Sequence, residues 1–338
     1  RERRRRGDAR AHRGRDHRSV PTLDVRPSTN VSIRLAEPGD VDDVVSFTRD
    51  TWSEWDRGDY LPEAFPRWVE NDDPNRGTFV ADAGGRAVGT LQAVLLSPWE
   101  GWLQGLRVDA EYRGEGIGTR LAHAGFRWAR EKGATVARSM VFSWNEMGLG
   151  LARAAGFEPA MEFRWAHPEP DGRAGPDLDD AGVEGTADPA AAWAYWGRSD
   201  ASRHLAGLTL DMDESWAVST LALETLQRAA RETSLLVIGD GGTRAFAHRI
   251  RSYDRETEVG ETERWTEYGV GAWADPRACE LLMAAVARDA ADRDADRTRV
   301  LIPETVGAVS DVALAGHRVS DHPDFVLAAD LTREFGTP

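Results

Sequence analysis

Lysine is almost absent from this chain of 338 residues: Lys132 is the only one, and arginine supplies the rest of its 42 basic side chains. Cysteine is as scarce, since Cys279 stands alone and excludes an internal disulfide. Its apolar, helix-like surroundings make it core filler rather than a nucleophile. No apolar run approaches the length a membrane-spanning helix needs, which excludes the membrane as a partner. The arginine-rich start also lacks the apolar region of a secretory leader, so the expected location is the cytoplasm. Basic charge is in deficit, 42 against 57 acids, for a net charge of −15. The first 18 residues hold nine arginines against Glu2, Asp8 and Asp16, so everything after them is more acidic still. That balance argues against nucleic acid as the main partner and suits a halophile-like surface that stays hydrated in concentrated salt. Of the eight histidines, neither His123 in the glycine-loop helix nor His167 at the domain edge has a spaced partner that would suggest a metal, and no metal is expected.

What the chain does hold is an ordered series of strand and helix patterns. Residues 1–29 read as a disordered basic tail with nothing to bury. Val31–Leu35 alternates like a strand, and Pro38-Gly39-Asp40 opens a helix carrying Val41, Val44, Val45 and Phe47 on one face. Trp52, Trp55, Tyr60, Phe65 and Trp68 follow at loose helical spacing. Gly77–Ala83 and Arg86–Leu96 form a hairpin around Gly84-Gly85. Leu103–Val108 reads as a buried strand, followed by the turn Asp109–Tyr112 and the loop Arg113-Gly114-Glu115-Gly116-Ile117-Gly118, with a helix beginning near Thr119. Such a loop aims consecutive backbone N–H groups and the positive end of the helix at one point, so its natural guest is a phosphate. Its glycines let a diphosphate approach without a Cβ in the way. A strand at Ala134–Phe142, a helix at Asn145–Ala155 and a strand at Glu162–Trp165 complete this part.

The run from Val108 to Gly118 resembles motif A of the GCN5-related N-acetyltransferases (GNAT), with Arg113, Gly116 and Gly118 in the three consensus places. The next helix resembles motif B of that family through Asn145, Leu151, Gly156 and Phe157, with Gly148 where the pattern has alanine. The resemblance implies an α/β fold with a mixed sheet, the acyl-CoA N-acyltransferase fold, and acetyl-CoA as cosubstrate. It assigns cosubstrate binding to Arg113, Gly114, Glu115, Gly116, Ile117, Gly118, Thr119 and Asn145. It also implies a splayed strand whose backbone at Leu106 polarises the thioester carbonyl and at Val108 meets the pantetheine. Trp52 and Trp55 fall where the family builds the wall of its acceptor pocket, which Trp102 and Glu162 complete.

Residues 169–190 are dense in Pro, Gly, Asp and Glu and read as a linker between domains at 30–168 and 191–338. Beyond it the order of elements repeats in blurred form: a hairpin around Asp240-Gly241-Gly242, a strand at Trp265–Trp273, a helix at Pro276–Ala290, a strand at Arg299–Ile302, a helix at Thr305–Ala315 and a strand at Phe325–Leu331. Only Ala274-Asp275-Pro276 stands where the glycine loop would be, too little to wrap a diphosphate. The plan therefore reads as two tandem GNAT-like copies, the second degenerate.

The proton-handling side chains that the resemblance would supply are missing. The motif B tyrosine position is Ala152, and two positions used for bases elsewhere in the family are Met140 and Trp102. Glu100, one pleat out from Trp102, is the candidate base, acting through water, and Glu162 is a second. The expected activity is acetyl-CoA-dependent N-acetylation of a primary amine, a weakly basic or α-amine of a small molecule or peptide, by a monomer or homodimer. A non-catalytic module that binds acetyl-CoA or CoA is the alternative.

Overall fold

The computed structural model describes residues 30–49, 51, 58–175, 184–257 and 260–333. Its first part runs β1 (Val31–Leu35), α1 (Val41–Thr48), α2 (Leu61–Val69), β2 (Arg76–Ala83), β3 (Ala87–Ser97), β4 (Glu100–Val108), α3 (Ile117–Glu131), β5 (Val136–Phe142), α4 (Glu146–Ala154) and β6 (Glu158–His167). Its second part runs β7 (Glu184–Thr186), α5 (Pro189–Trp196), α6 (Asp200–His204), β8 (Leu208–Leu210), β9 (Val218–Thr220), α7 (Leu223–Glu232), β10 (Ser234–Gly239), β11 (Thr243–Glu256), β12 (Thr262–Trp273), α8 (Pro276–Ala291), β13 (Arg297–Pro303), α9 (Val306–Leu314), β14 (Arg318–Val319) and β15 (Asp324–Asp330). Residues 184–190, inside the expected linker, thus contribute an edge strand and the start of α5. The arginine-rich tail lies outside the described residues.

Helix starts follow from local chemistry. Asp188 and Asp275 cap α5 and α8, each with proline at the first helical position, and Asn145 and Thr305 cap α4 and α9. The strands carry apolar residues on both faces because helices cover both. Along β3, Leu91, Ala93 and Leu95 face the core under α3, whereas Val94 and Leu96 face the opposite core. On that opposite face, Val44 and Phe65 of α1 and α2 pack on Val80 and Ala87.

Thirteen strands form one mixed sheet among the described residues, in the order β1-β2-β3-β4-β5-β15-β6-β13-β12-β11-β10-β7 with β14 beside β6. The order is a palindrome of roles. Antiparallel strands lead inward from each edge to a parallel pair, β4 with β5 and β12 with β13. At the centre the two closing strands are exchanged: β15 pairs with β5 from Asp324↔Phe142 to Asp330↔Val136, and β6 pairs with β13 from Val300↔Ala166 to Pro303↔Phe163. The core is shared in the same way. One cluster joins Val94, Trp102 and Phe163 to Leu210, Leu226 and Phe246, so residues 169–190 divide the chain without dividing its interior.

Candidate active site

The glycine loop hangs between the end of β4 and the start of α3. Asp109 accepts from the Glu111 N–H at 3.1 Å and pairs with Arg86 at 2.8 Å, which fixes a 3-10 turn over Ala110–Tyr112. Arg113 then reaches back to the Val108 carbonyl at 3.2 Å. Gly114 and Gly116 take φ of +82° and +74°, a region that other residues enter only with strain. A Cβ on either would meet nothing within 4 Å, and residues 113–116 are exposed, so the space in front of them is open. Gly118 has a different job: a Cβ there would lie 2.3 Å from Leu151 Cδ1, so the absent side chain lets α3 and α4 close together. Gly116 is the N-cap of α3 and brings no side-chain acceptor to the first turn, leaving those N–H groups for an external anion.

Beside the loop the sheet parts. Pairing between β4 and β5 covers only Glu100↔Val136, Gly101↔Ala137 and Trp102↔Arg138. Among the described residues no strand pairs with the β4 edge on that side from Leu103 to Val108, and residues 138–145 of β5 and its sequel are half-buried. A bulge marks the departure: Thr90 pairs with Arg107 and Gln92 with Gln104, so Gly105 and Leu106 together oppose Leu91. Gly105 sits at φ +64°, with the Trp68 ring 2.6 Å from where its Cβ would be. Leu106 and Val108 lie on this open edge, half-buried. On the face opposite α3, Tyr60 and Trp68 meet edge to face at 6.1 Å, and Arg107 pairs with the fully buried Asp59 at 2.8 Å.

The second half answers differently at the matching place. Between β12 and β13 pairing likewise stops, at Tyr268↔Val300, but α8 follows at once. One donor of its first turn is already taken, because Asp275 accepts from the Ala278 N–H at 2.9 Å, and a carboxylate there disfavours a phosphate. The cleft left beside Trp273 holds about 200 Å³ and is lined by Asp200, Thr305 and Asp311. That is below the roughly 300 to 1,000 Å³ of ordinary small-molecule sites.

Several expected site residues are corrected by their surroundings. Glu100 is 2 % exposed and fully engaged. Its Oε1 accepts from Arg138 at 2.5 Å, from the Thr220 N–H at 3.0 Å and from the Thr220 hydroxyl at 2.7 Å, while Oε2 accepts from Ser97 at 3.0 Å. Burial alone would raise its pKa, but the Thr220 hydroxyl and the Arg138 guanidinium outweigh it and hold the carboxyl below the ordinary carboxylate range. It is a staple between the halves, not a base with a lone pair free for an amine. Trp102 is 2 % exposed in the shared core, its indole N–H donated to Gln104 at 3.1 Å, so it lines no pocket. Glu162 is exposed on β6, and the inserted β15 moves that strand one place farther from β5. Asn145 spends its Oδ1 on the Gly148 N–H at 2.9 Å, capping α4. Trp52 and Trp55 lie outside the described residues. Cys279 is fully buried, and burial pushes its thiol up, as befits core filler. Among the described residues no group of three or more His, Cys, Asp or Glu side chains is placed to hold a metal, and no helix is long and apolar enough to cross a membrane.

The Glu100 staple has a measurable signature. Removing one partner of a buried ion pair costs about 3–5 kcal/mol, so Glu100→Gln should lose stability of that order near neutral pH in urea unfolding. A carboxylate held below its unfolded pKa of about 4.5 stabilises above that value and stops doing so as pH falls through the folded one. The gap between wild type and variant should therefore narrow below about pH 4.5. Equal stability at pH 7 would show the staple to be idle.

Sequence reasoning missed a polar network on the face opposite α3. Gln104 donates to Gln92 at 2.9 Å and to Glu214 at 2.9 Å, and Glu214 also takes Arg76 at 2.5 Å. Glu214 comes from the second half, and nothing in the local sequence of either half points to the other.

With this geometry in place, the chain can be compared with known proteins. Residues 42–157 match the acetyltransferase (GNAT) family. A thialysine N-epsilon-acetyltransferase from Bos taurus is 32 % identical over 74 residues, 21 % of this chain. The chain spans 44 % of that relative's length. Over the whole fold, the crystal structure of a GCN5-related N-acetyltransferase from Sphaerobacter thermophilus superposes with a TM-score of 0.57 at 15 % identity, covering 92 % of this chain and 98 % of that one. The mixed α/β architecture of both halves is therefore shared with a solved acetyltransferase.

Proposed function

We propose that the protein is an acetyl-CoA-dependent N-acetyltransferase whose acceptor is a primary amine, weakly basic or an α-amine. The observation that carries this reading is the alignment of three features on one line. They are an exposed glycine loop at positive φ, an α3 N-terminus with no side-chain cap, and a gap between β4 and β5 leading from it. The donor set fits acetyl-CoA: main-chain N–H groups of residues 114–119 with Arg113 for the diphosphate, and the free β4 edge at Leu106 and Val108 for the pantetheine arm. When bound, the cosubstrate supplies an activated acyl thioester. The chain's part is to orient that thioester along β4, to polarise its carbonyl through the Leu106 backbone and to keep water out.

The acceptor class follows from what is missing. Ala152 and Met140 exchange no proton, and Glu100 is locked in its ion pair. Bringing a lysine amine from a pKa of about 10.4 to its neutral form near pH 7 costs about 4.6 kcal/mol, whereas an α-amine near 7.8 costs roughly 1. A site without a strong base favours the second. The printed name of the bovine relative gives that protein an N-epsilon amine acceptor, so both kinds belong in any screen. The C-terminal half reads as a worn second copy that completes the fold and covers the first site. The lack of a proton-handling side chain at Ala152 also favours a second reading, a module that binds acetyl-CoA or CoA without turnover.

Free thiol release from acetyl-CoA against a broad amine panel tests both. Amine-dependent release, strongest for α-amines, is expected. Coenzyme binding with no amine-dependent release anywhere would establish the module instead, and robust lysine turnover with none of α-amines would overturn the acceptor class.

A further inference from the structure

The tip of the β8–β9 hairpin bridges the mouth of the β4–β5 gap on the face opposite α3. Its residues 211–217 belong to the second half, yet its contacts are with both lips of a gap in the first. On the β4 lip, Glu214 accepts from Gln104, the residue just before the Gly105–Leu106 bulge, and from Arg76. On the β5 lip, Trp216 meets the last residue of the strand, Phe142, edge to face at 6.3 Å. Between them the backbone turns through a tryptophan at φ +63°, a left-handed conformation that a bulky side chain adopts only when its surroundings hold it there.

Those surroundings are explicit. Asp211 accepts from the Asp213 N–H at 3.0 Å and the Glu214 N–H at 2.8 Å, closing the turn. Arg251 of β11 donates to the carbonyls of Asp211 and Glu214. The Arg299 guanidinium lies 4.1 Å from the Trp216 ring centroid and 4.5 Å from that of Trp165, two rings set edge to face at 6.2 Å. At the base of the hairpin, Thr220 is tied to Glu100. Each anchor fixes the tip relative to the sheet, so Glu214 and Trp216 are presented as a pre-formed surface. Glu214 remains 8 % and Trp216 39 % exposed.

We propose that this tip is the acceptor-binding wall of the N-terminal site, with Glu214 accepting a hydrogen bond from the acceptor's amine, which attacks in its neutral form, and Trp216, with Phe142, receiving a flat apolar group carried next to it. The inference rests on the transferase reading above and adds to it a substrate class: a small primary amine with an aromatic or similarly flat body. Arg76 and Gln104 each engage one Glu214 oxygen, which aims the carboxylate without using all its lone pairs. Glu214 is a positioning residue in this scheme. The tip also gives the second half a part in recognition although it holds no coenzyme loop.

The test uses the full chain with phenylalaninamide, which has an α-amine and a ring, against glycinamide, which has the amine alone. Wild type should favour phenylalaninamide by about tenfold or more in kcat/KM. Glu214→Gln should raise KM for both amines by about tenfold, the scale of one charged hydrogen bond, while coenzyme A affinity stays within about twofold. Trp216→Gly, which suits the left-handed backbone but gives up the Arg299 and Phe142 contacts, should melt cooperatively at a lower temperature and erase the preference for the ring. Unchanged amine KM in Glu214→Gln, or an unchanged preference in a folded Trp216→Gly, overturns the proposal while leaving the transferase reading standing. Failure of wild type to take up coenzyme A at all would remove both.

Discussion

Gly116→Glu is expected to weaken coenzyme A binding by at least about a hundredfold, because it sets a carboxylate at the point where a diphosphate must sit and like-charge juxtaposition costs several kcal/mol. The fold should survive. Residue 116 is exposed and a Cβ there meets nothing, so the structural cost is confined to forcing a side chain into φ +74°, about 1–3 kcal/mol. Gly116→Ala carries the same backbone cost without the charge and should bind measurably better than the glutamate variant. Calorimetry on the three proteins separates the two causes. Equal, tight affinity in all three would mean that the α3 N-terminus holds no phosphate.

Separating the halves should have an effect as large on folding. Residues 30–168 alone lack β15, which occupies the space between β5 and β6 and pairs with both. Without it two strand edges and the side chains of the shared core, Trp102 and Phe163 among them, face water. The fragment is expected to aggregate or to unfold without a cooperative transition. Co-expression with residues 169–338 should restore a soluble complex that elutes at the size of the intact chain. A monomeric N-terminal fragment with a sharp melt would show that the exchanged strands are dispensable.

These two expectations divide along the line between what the sequence discloses and what it hides. The glycine loop is legible because its requirements are local: Gly114 and Gly116 are needed for positive φ, and Gly118 for the approach of Leu151 one helix away. Most strands and helices are legible too, since alternation and capping residues are written within each element. Strand exchange is not. β6 alternates through Met161, Phe163 and Trp165 and β15 is a continuous apolar run from Phe325 to Ala329, and neither pattern says which neighbour the strand will pair with. Glu100 illustrates the consequence. As a turn acid near a splayed strand it has the look of a base, but its fate is decided by Thr220, 120 residues away. Glu214 is the converse case: a member of an ordinary acidic turn between two short strands, it reaches Gln104 across 110 residues. Side chains that act through long-range contacts acquire their roles only once the sheet is assembled.

The sheet order is palindromic, but the two halves differ at the helix that follows each parting strand. The second half has parting strands β12 and β13, yet Asp275 caps α8 through the Ala278 N–H, whereas Gly116 gives α3 no side-chain cap. Its surviving contributions are β15, the staple at Thr220 and the hairpin tip at Glu214 and Trp216.

Titration of the intact chain with coenzyme A probes the central claim most directly. The predicted result is one molecule bound per chain, displaced from residues 113–118 by the Gly116→Glu change. A stoichiometry of zero, or of two with the second site unaffected by that change, would contradict it.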